Sequence, residues 1–174
     1  MRKELVIGIS CFYHDSAIAV IADNEIIFCV QEERLSRKKN DSAFPVKSVR
    51  KAMDSLNFKL EDVSAFIFYE KPLLKFERII ENYLYFSPKG YKAFSAALLE
   101  LVGGKFFLKR EIVRSLKKID DKVNFEKKIF FCEHHLSHLA SSYYPSPFQK
   151  SLLVSLDGVG ESSTTTIARG VDNK

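Results

Sequence analysis

Apolar residues come in short runs at the start of the chain. Residues 5–9, 16–21 and 26–30 each read as a strand bounded by polar residues. Ala22-Asp23-Asn24-Glu25, a turn-forming tetrapeptide, separates the second run from the third. Residues 11–15 make an equally short reversal between the first two. Three strands joined so closely predict an antiparallel meander. A charged stretch covers 31–41. Pro45 then opens a predicted helix over 46–56, with Val49, Ala52, Met53 and Leu56 at helical spacing. Residues 63–69 read as a fourth strand. Residues 72–118 are helical in pattern, broken at 87–90 and at Gly103-Gly104. Residues 129–132 form a fifth strand, and 133–144 a helix stopped by Pro145 and Pro147.

The pattern then restarts. A strand at 151–156, a loop at 157–160 and a strand at 163–168 echo the opening of the chain. A lone hairpin cannot bury both of its faces. The expected architecture is therefore α/β: a first lobe over 1–148 with a five-stranded mixed sheet and a helical insertion at about 72–118. The first hairpin of a second lobe follows over 149–174.

Composition narrows the class. With 174 residues, 46% of them apolar, the chain can build a real core. Fifteen Phe and seven Tyr without a Trp point to aromatic packing within it. No apolar run approaches the length of a membrane span, so no membrane partner is expected. The first residues lack the layout of a signal peptide, so a cytoplasmic protein is expected. Cys11, Cys29 and Cys132 are too dispersed for a disulfide framework and read as buried free thiols. A net charge of +5, with bases and acids interleaved, does not call for nucleic acid. Open strand edges leave self-association open.

Four segments carry candidate chemistry. In Glu133-His134-His135-Leu136-Ser137-His138, three of the four histidines of the chain fall within five residues. His134 and His138 share one helix face and can grip a single metal ion; imidazole suits zinc, iron or nickel alike. The plainer alternative is a polar helix start, but the clustering favours the metal. His135 points elsewhere, as a group supporting the ligands or facing substrate. Asp157 ends a strand and precedes Gly158, Gly160 and Glu161. The glycines allow close approach of a phosphate, and the carboxylate can complete a His/His/Asp set; an ordinary hairpin turn explains the same residues equally well.

The segment from Gly8 through Ser10, Tyr13, His14 and Asp15 can cradle a phosphate or carbamoyl group. His14 can act as general base there, with Asp15 orienting it. Taken alone, this segment reads more simply as a surface loop with an incidental histidine. Arg34, Arg37, Lys38 and Lys39 can hold an anion, although such a run is usually a solvated face. The segment from Lys71 to Arg78 reads as an amphipathic helix that needs no functional explanation.

Together these segments resemble the NodU/CmcH carbamoyltransferase family. The likeness is carried by GISCFYHDSAIAVI, EERLSRKKNDSAFP, FYEKPLLKFERI, EHHLSHLASSYYPSPF and SLDGVGESSTT, in order along nearly the whole chain. The resemblance implies an actin-like (ASKHA, ribonuclease-H-like) fold, similar to the metal-binding proteins that make threonylcarbamoyladenosine on tRNA. It implies His134, His138 and Asp157 as ligands of a divalent transition metal, iron ahead of zinc, with a further ligand from a second lobe. It places Ser10, Tyr13, Asp15, Gly158, Gly160 and Glu161 with the nucleotide and the carbamoyl group, and His14 beside the transferred group.

The chemistry implied is transfer of carbamoyl from carbamoyl-adenylate to a hydroxyl of a small molecule or glycan. A YrdC-like domain elsewhere would make the adenylate from ATP and carbamoyl phosphate. Two other readings compete: a non-catalytic nucleotide- or metal-binding actin-like module that docks to a partner chain, and a sugar-kinase lobe. The HxxxH helix argues against the kinase, whose magnesium is held by carboxylates and phosphates.

Overall fold

A computed structural model describes residues 4–103, 107–158, 161 and 163–172. The elements follow in chain order. The strands β1 (Leu5–Ser10), β2 (Ala17–Ala22) and β3 (Glu25–Gln31) come first, then the helices α1 (Glu32–Ser36) and α2 (Val46–Leu56) and strand β4 (Val63–Phe68). Three helices follow: α3 (Pro72–Phe86), α4 (Tyr91–Gly103) and α5 (Leu108–Lys117). Strand β5 (Ile129–Phe131), helix α6 (His134–Tyr143), and strands β6 (Lys150–Leu156) and β7 (Thr165–Val171) complete the described chain. Among the described residues, no helix is long and apolar enough to cross a membrane.

The chain divides into two compact units, Met1–Tyr69 with Lys109–Phe131, and Glu70–Leu108 with Cys132–Lys174. Almost all of α5 belongs with the large sheet and not with the helical insertion, because Ile112, Val113 and Leu116 are buried side chains of that unit's core. Helix α6 belongs with the β6–β7 hairpin, on which it packs.

In the first unit a five-stranded sheet runs in the order β3-β2-β1-β4-β5. β1, β2 and β3 are antiparallel neighbours, whereas β4 pairs in parallel with both β1 and β5. The expected meander and mixed sheet are therefore present. Asp23 and Asn24 turn the β2–β3 hairpin with positive φ of 51° and 67°, the left-handed geometry that two-residue hairpins need and Asn and Asp tolerate. Along β2 burial alternates strictly, with Ile18, Val20 and Ala22 inside. Val49 and Ala52 of α2 join them, and α2 packs on β2 and β3. Phe66 on β4 meets Phe125 edge-on at 5.7 Å, and both are buried.

The charged stretch after β3 holds an element the sequence pattern did not show, the short helix α1. Buried Glu32 opens it and accepts the backbone N–H groups of Lys47 (3.0 Å) and Ser48 (2.8 Å) and the Ser48 hydroxyl (2.6 Å). Its carboxylate thus supplies partners that the start of α2 lacks, since N-cap Pro45 offers no side-chain cap. The three cysteines are free, but they are not uniformly buried as expected. Only Cys11 is buried, and burial pushes its thiol well up. Cys29 is exposed because β3 is the edge strand of its sheet.

In the second unit α3 and α4 form a helical hairpin, with Tyr83 and Phe94 stacked at 4.1 Å. β6 and β7 pair antiparallel from Lys150↔Val171 to Leu156↔Thr165. The second strand lies at Thr165–Val171 and not at the expected 163–168, because pairing with all of β6 sets its length. One face carries exposed Leu152, Val154, Leu156 and Ile167. On the other, the Tyr143 ring lies over Gly170, and its hydroxyl sits 2.9 Å and 2.8 Å from the carbonyl oxygens of Gln149 and Asp172. A Cβ on Gly170 would meet that ring at 2.7 Å, and the pinned hydroxyl stops the ring from swinging away. Gly170→Ala is therefore expected to destabilise this unit by about 1–3 kcal/mol, read as a lower denaturant midpoint. An unchanged midpoint would show that the ring yields.

Candidate metal centre

Helix α6 begins at His134 because the extended residue Glu133 serves as its N-cap, without a side-chain cap of its own. Spacing by four residues places His134 and His138 on one face, while β6 ends at Leu156 and delivers Asp157 to the same point. His134 Nε2 lies 2.7 Å from Asp157 Oδ2 and 3.1 Å from His138 Nε2. His138 Nε2 lies 4.0 Å from the same carboxylate oxygen. The Asp157 backbone N–H donates to Thr164 O at 2.8 Å, which ties the end of β6 to the far side of its loop.

These three groups form the one candidate metal-ligating cluster among the described residues. A ring nitrogen offers either one in-plane proton or one lone pair, so His134 Nε2 cannot serve both neighbours well. Three donors aimed at one point are reconciled by a cation between them. Ligands about 2.1 Å from a metal stand about 3.0–3.4 Å apart at octahedral or tetrahedral angles, and the observed separations bracket that range. Burial first, and then the neighbouring His134, hold the His138 imidazole below its ordinary pKa against the opposing pull of Asp157. The neutral, ligating form is thereby favoured. The residues present fit a metal with two nitrogen ligands and one oxygen ligand.

The other expected site residues are distributed as follows. His135, on the same helix, is buried, and neither ring nitrogen has a hydrogen-bond partner among the described residues. Gly158 is exposed, with open space where a Cβ would stand. Gly160 lies outside the described residues. Glu161 is buried and faces inward: its oxygens accept the backbone N–H of Lys71 and, at 3.0 Å, that of His134. It thus serves two helix starts, whose first N–H groups have no acceptor within their own helices.

Lys71, which the sequence pattern places in a helix without functional meaning, also reaches this region. Its ammonium lies 2.9 Å from Glu133, and that hydrogen bond holds it above the ordinary lysine range. The only sequence signal was Pro72 at the first helical position, which makes Lys71 the N-cap of α3. Nothing in the spacing linked residue 71 to residues 133 and 161.

In the first unit the loop after β1 is held by backbone hydrogen bonds from Phe12 to Ser42 O and from Ser16 to Asp41 O, both 2.8 Å. Between these anchors Tyr13 and His14 are exposed, with their rings 4.9 Å apart. His14 Nδ1 lies 3.2 Å from Asp15 Oδ2. Ser10 ends β1 just before this loop. Arg34, Arg37 and Lys39 are exposed, and Arg34 lies 3.7 Å from Glu33.

The family described as carbamoyltransferase N-terminus matches residues 5–173. The chain belongs to that family. Among its relatives, an uncharacterized protein of Synechocystis, sll1178, is 41% identical over 170 residues, which is 97% of this chain and 28% of the relative. The nodulation protein NolNO of Sinorhizobium fredii is 27% identical over 163 residues, or 91% of this chain and 22% of that protein. The uncharacterized protein MJ1051 of Methanocaldococcus jannaschii is 28% identical over 157 residues, covering 90% of this chain and 23% of its own length. The chain thus spans between a fifth and a third of the curated relatives it matches.

Proposed function

We propose that the chain is the N-terminal part of an ATP-dependent O-carbamoyltransferase with an actin-like fold. It moves carbamoyl from carbamoyl-adenylate to a hydroxyl of a small molecule or glycan. The observation that carries this reading is the convergence of His134, His138 and Asp157 in a chain of the carbamoyltransferase N-terminal family. The remainder of the protein would supply a second lobe and a YrdC-like domain that makes the adenylate from ATP and carbamoyl phosphate in the cytoplasm.

His134, His138 and Asp157 would hold a divalent transition metal, iron ahead of zinc by the family resemblance, since two imidazoles and a carboxylate with open positions suit either ion. When bound, that ion supplies positive charge against the phosphate of the adenylate. The hydrogen-bonded pair of Asp15 and His14 orients the imidazole through Nδ1 and leaves Nε2 to take a proton. The acceptor oxygen forms a bond to the carbamoyl carbon as its proton passes to His14. The bond from that carbon to the phosphate oxygen breaks, and AMP leaves with the electron pair. Within the first unit, Ser10 and Tyr13 would bind the nucleotide and carbamoyl group beside His14, with Arg34, Arg37 and Lys39 as a reserve of positive charge.

The test supplies isotopically labelled carbamoyl-adenylate and a panel of hydroxyl acceptors to the full-length protein, and follows the carbamate ester and AMP by mass spectrometry. Ester formation is expected, and His14→Asn is expected to slow it about 10²–10⁴-fold with nucleotide binding unchanged. Equal rates would remove the base role of His14. Binding of the adenylate with no AMP release would leave a binding module in place of an enzyme.

A further inference from the structure

We infer that Glu161 is the positioning residue of the metal centre, an inference that rests on His134, His138 and Asp157 being its ligands. Helix α6 has no cap from its own sequence, since Glu133 makes no side-chain hydrogen bond at the N-cap. Glu161 supplies the cap from another part of the chain. One carboxylate oxygen accepts the His134 N–H at 3.0 Å and the other accepts the Lys71 N–H at the start of α3. His134 is therefore held at two points, by its backbone to Glu161 and by its ring to Asp157 at 2.7 Å.

Glu161 lies four residues beyond Asp157, so the same bonds close a ring. The loop that carries the carboxylate ligand is fastened to the first turn of the helix that carries both imidazoles. The Lys71–Glu133 ion pair, 2.9 Å, joins the same two helix starts a second time. Glu161 is buried, so solvent does not compete for either oxygen. A negative charge there also suits the positive end of α6. Partners one step behind the ligands usually set ligand orientation, and their loss typically weakens metal binding about 10–100-fold.

The test is cobalt(II) titration of the full-length protein, following affinity and the visible absorption of the bound ion, alongside thermal unfolding without metal. Glu161→Gln keeps shape and one acceptor but turns an amide NH₂ toward one of the two N–H groups; Glu161→Ala removes both acceptors. Both are expected to weaken cobalt binding about 10–100-fold and to alter its absorption, Ala more than Gln. The control is Glu32→Gln, at the buried carboxylate that holds the start of α2. It is expected to lower the unfolding temperature while leaving cobalt affinity unchanged.

Parent-like affinity and absorption in both Glu161 variants would overturn the inference. So would equal weakening by Glu32→Gln, which would make the effect one of general stability. Absence of cobalt binding in the unsubstituted protein would remove the ligand assignment itself, and the inference with it.

Discussion

Replacing His138 with alanine is expected to weaken metal binding by the full-length protein more than about 100-fold, beyond the range for partners that only support ligands. The ring nitrogen of His138 stands 3.1 Å from that of His134 and 4.0 Å from the Asp157 carboxylate. Without it, one nitrogen and one carboxylate oxygen remain within this chain, too few for tight retention of a divalent transition metal. His134→Ala removes the nitrogen nearest to Asp157 and is expected to do the same. Ser141→Ala is the matching control. Its exposed hydroxyl bonds to the His138 carbonyl and takes no part in the cluster, so metal content is expected to be unchanged. Mass spectrometry of protein purified without chelator reads all three. Unchanged metal in His138→Ala would dismiss that residue as a ligand.

The largest effect on stability is expected from Phe66→Ala. Phe66 is 1% exposed on β4, which lies between β1 and β5, and its ring meets the wholly buried Phe125 at 76°. Truncation removes the transfer free energy of the ring, the edge-to-face contact and the packing around the cavity left behind, at a cost of about 3–5 kcal/mol. Domains of this size are typically stable by about 5–15 kcal/mol, so the loss is a large fraction of the total. Urea denaturation followed by circular dichroism should show the midpoint fall steeply. Phe130→Ala is expected to change it far less, since Phe130 is 52% exposed on the edge strand β5. Similar midpoints for the two variants would mean that Phe66 is not a keystone of this core.

Local pattern was informative wherever an element's own periodicity decided its form. The meander of β1, β2 and β3 follows from alternation and from Asp23-Asn24, and α2 from the spacing of Val49, Ala52 and Met53. The break at 87–90 separates α3 from α4 where expected, and α4 ends at Gly103, the first of the two glycines, while Gly104 lies outside the described residues. Helix α1 was not legible because five residues are too few for a period, and its opening residue Glu32 is a buried carboxylate whose partners lie 15 and 16 positions away. Strand β7 starts and ends later than the local pattern predicts, because a strand's extent is set by its partner, here β6.

At the site, the sequence determined that His134 and His138 share a face, because four residues make about one helical turn. It also determined the family, through ordered segments along nearly the whole chain. The family resemblance names Asp157 as their companion, but spacing does not show that it meets those two rings, since 18 residues, most of a strand among them, lie between it and His138. Tertiary structure alone decided that Glu161 turns away from solvent to hold Lys71 and His134, 90 and 27 positions distant. Spacing reports on neighbours along one element. Which distant carboxylate reaches an uncapped helix start depends on how the strand that delivers it packs against the helix, and that is settled only when the chain has folded.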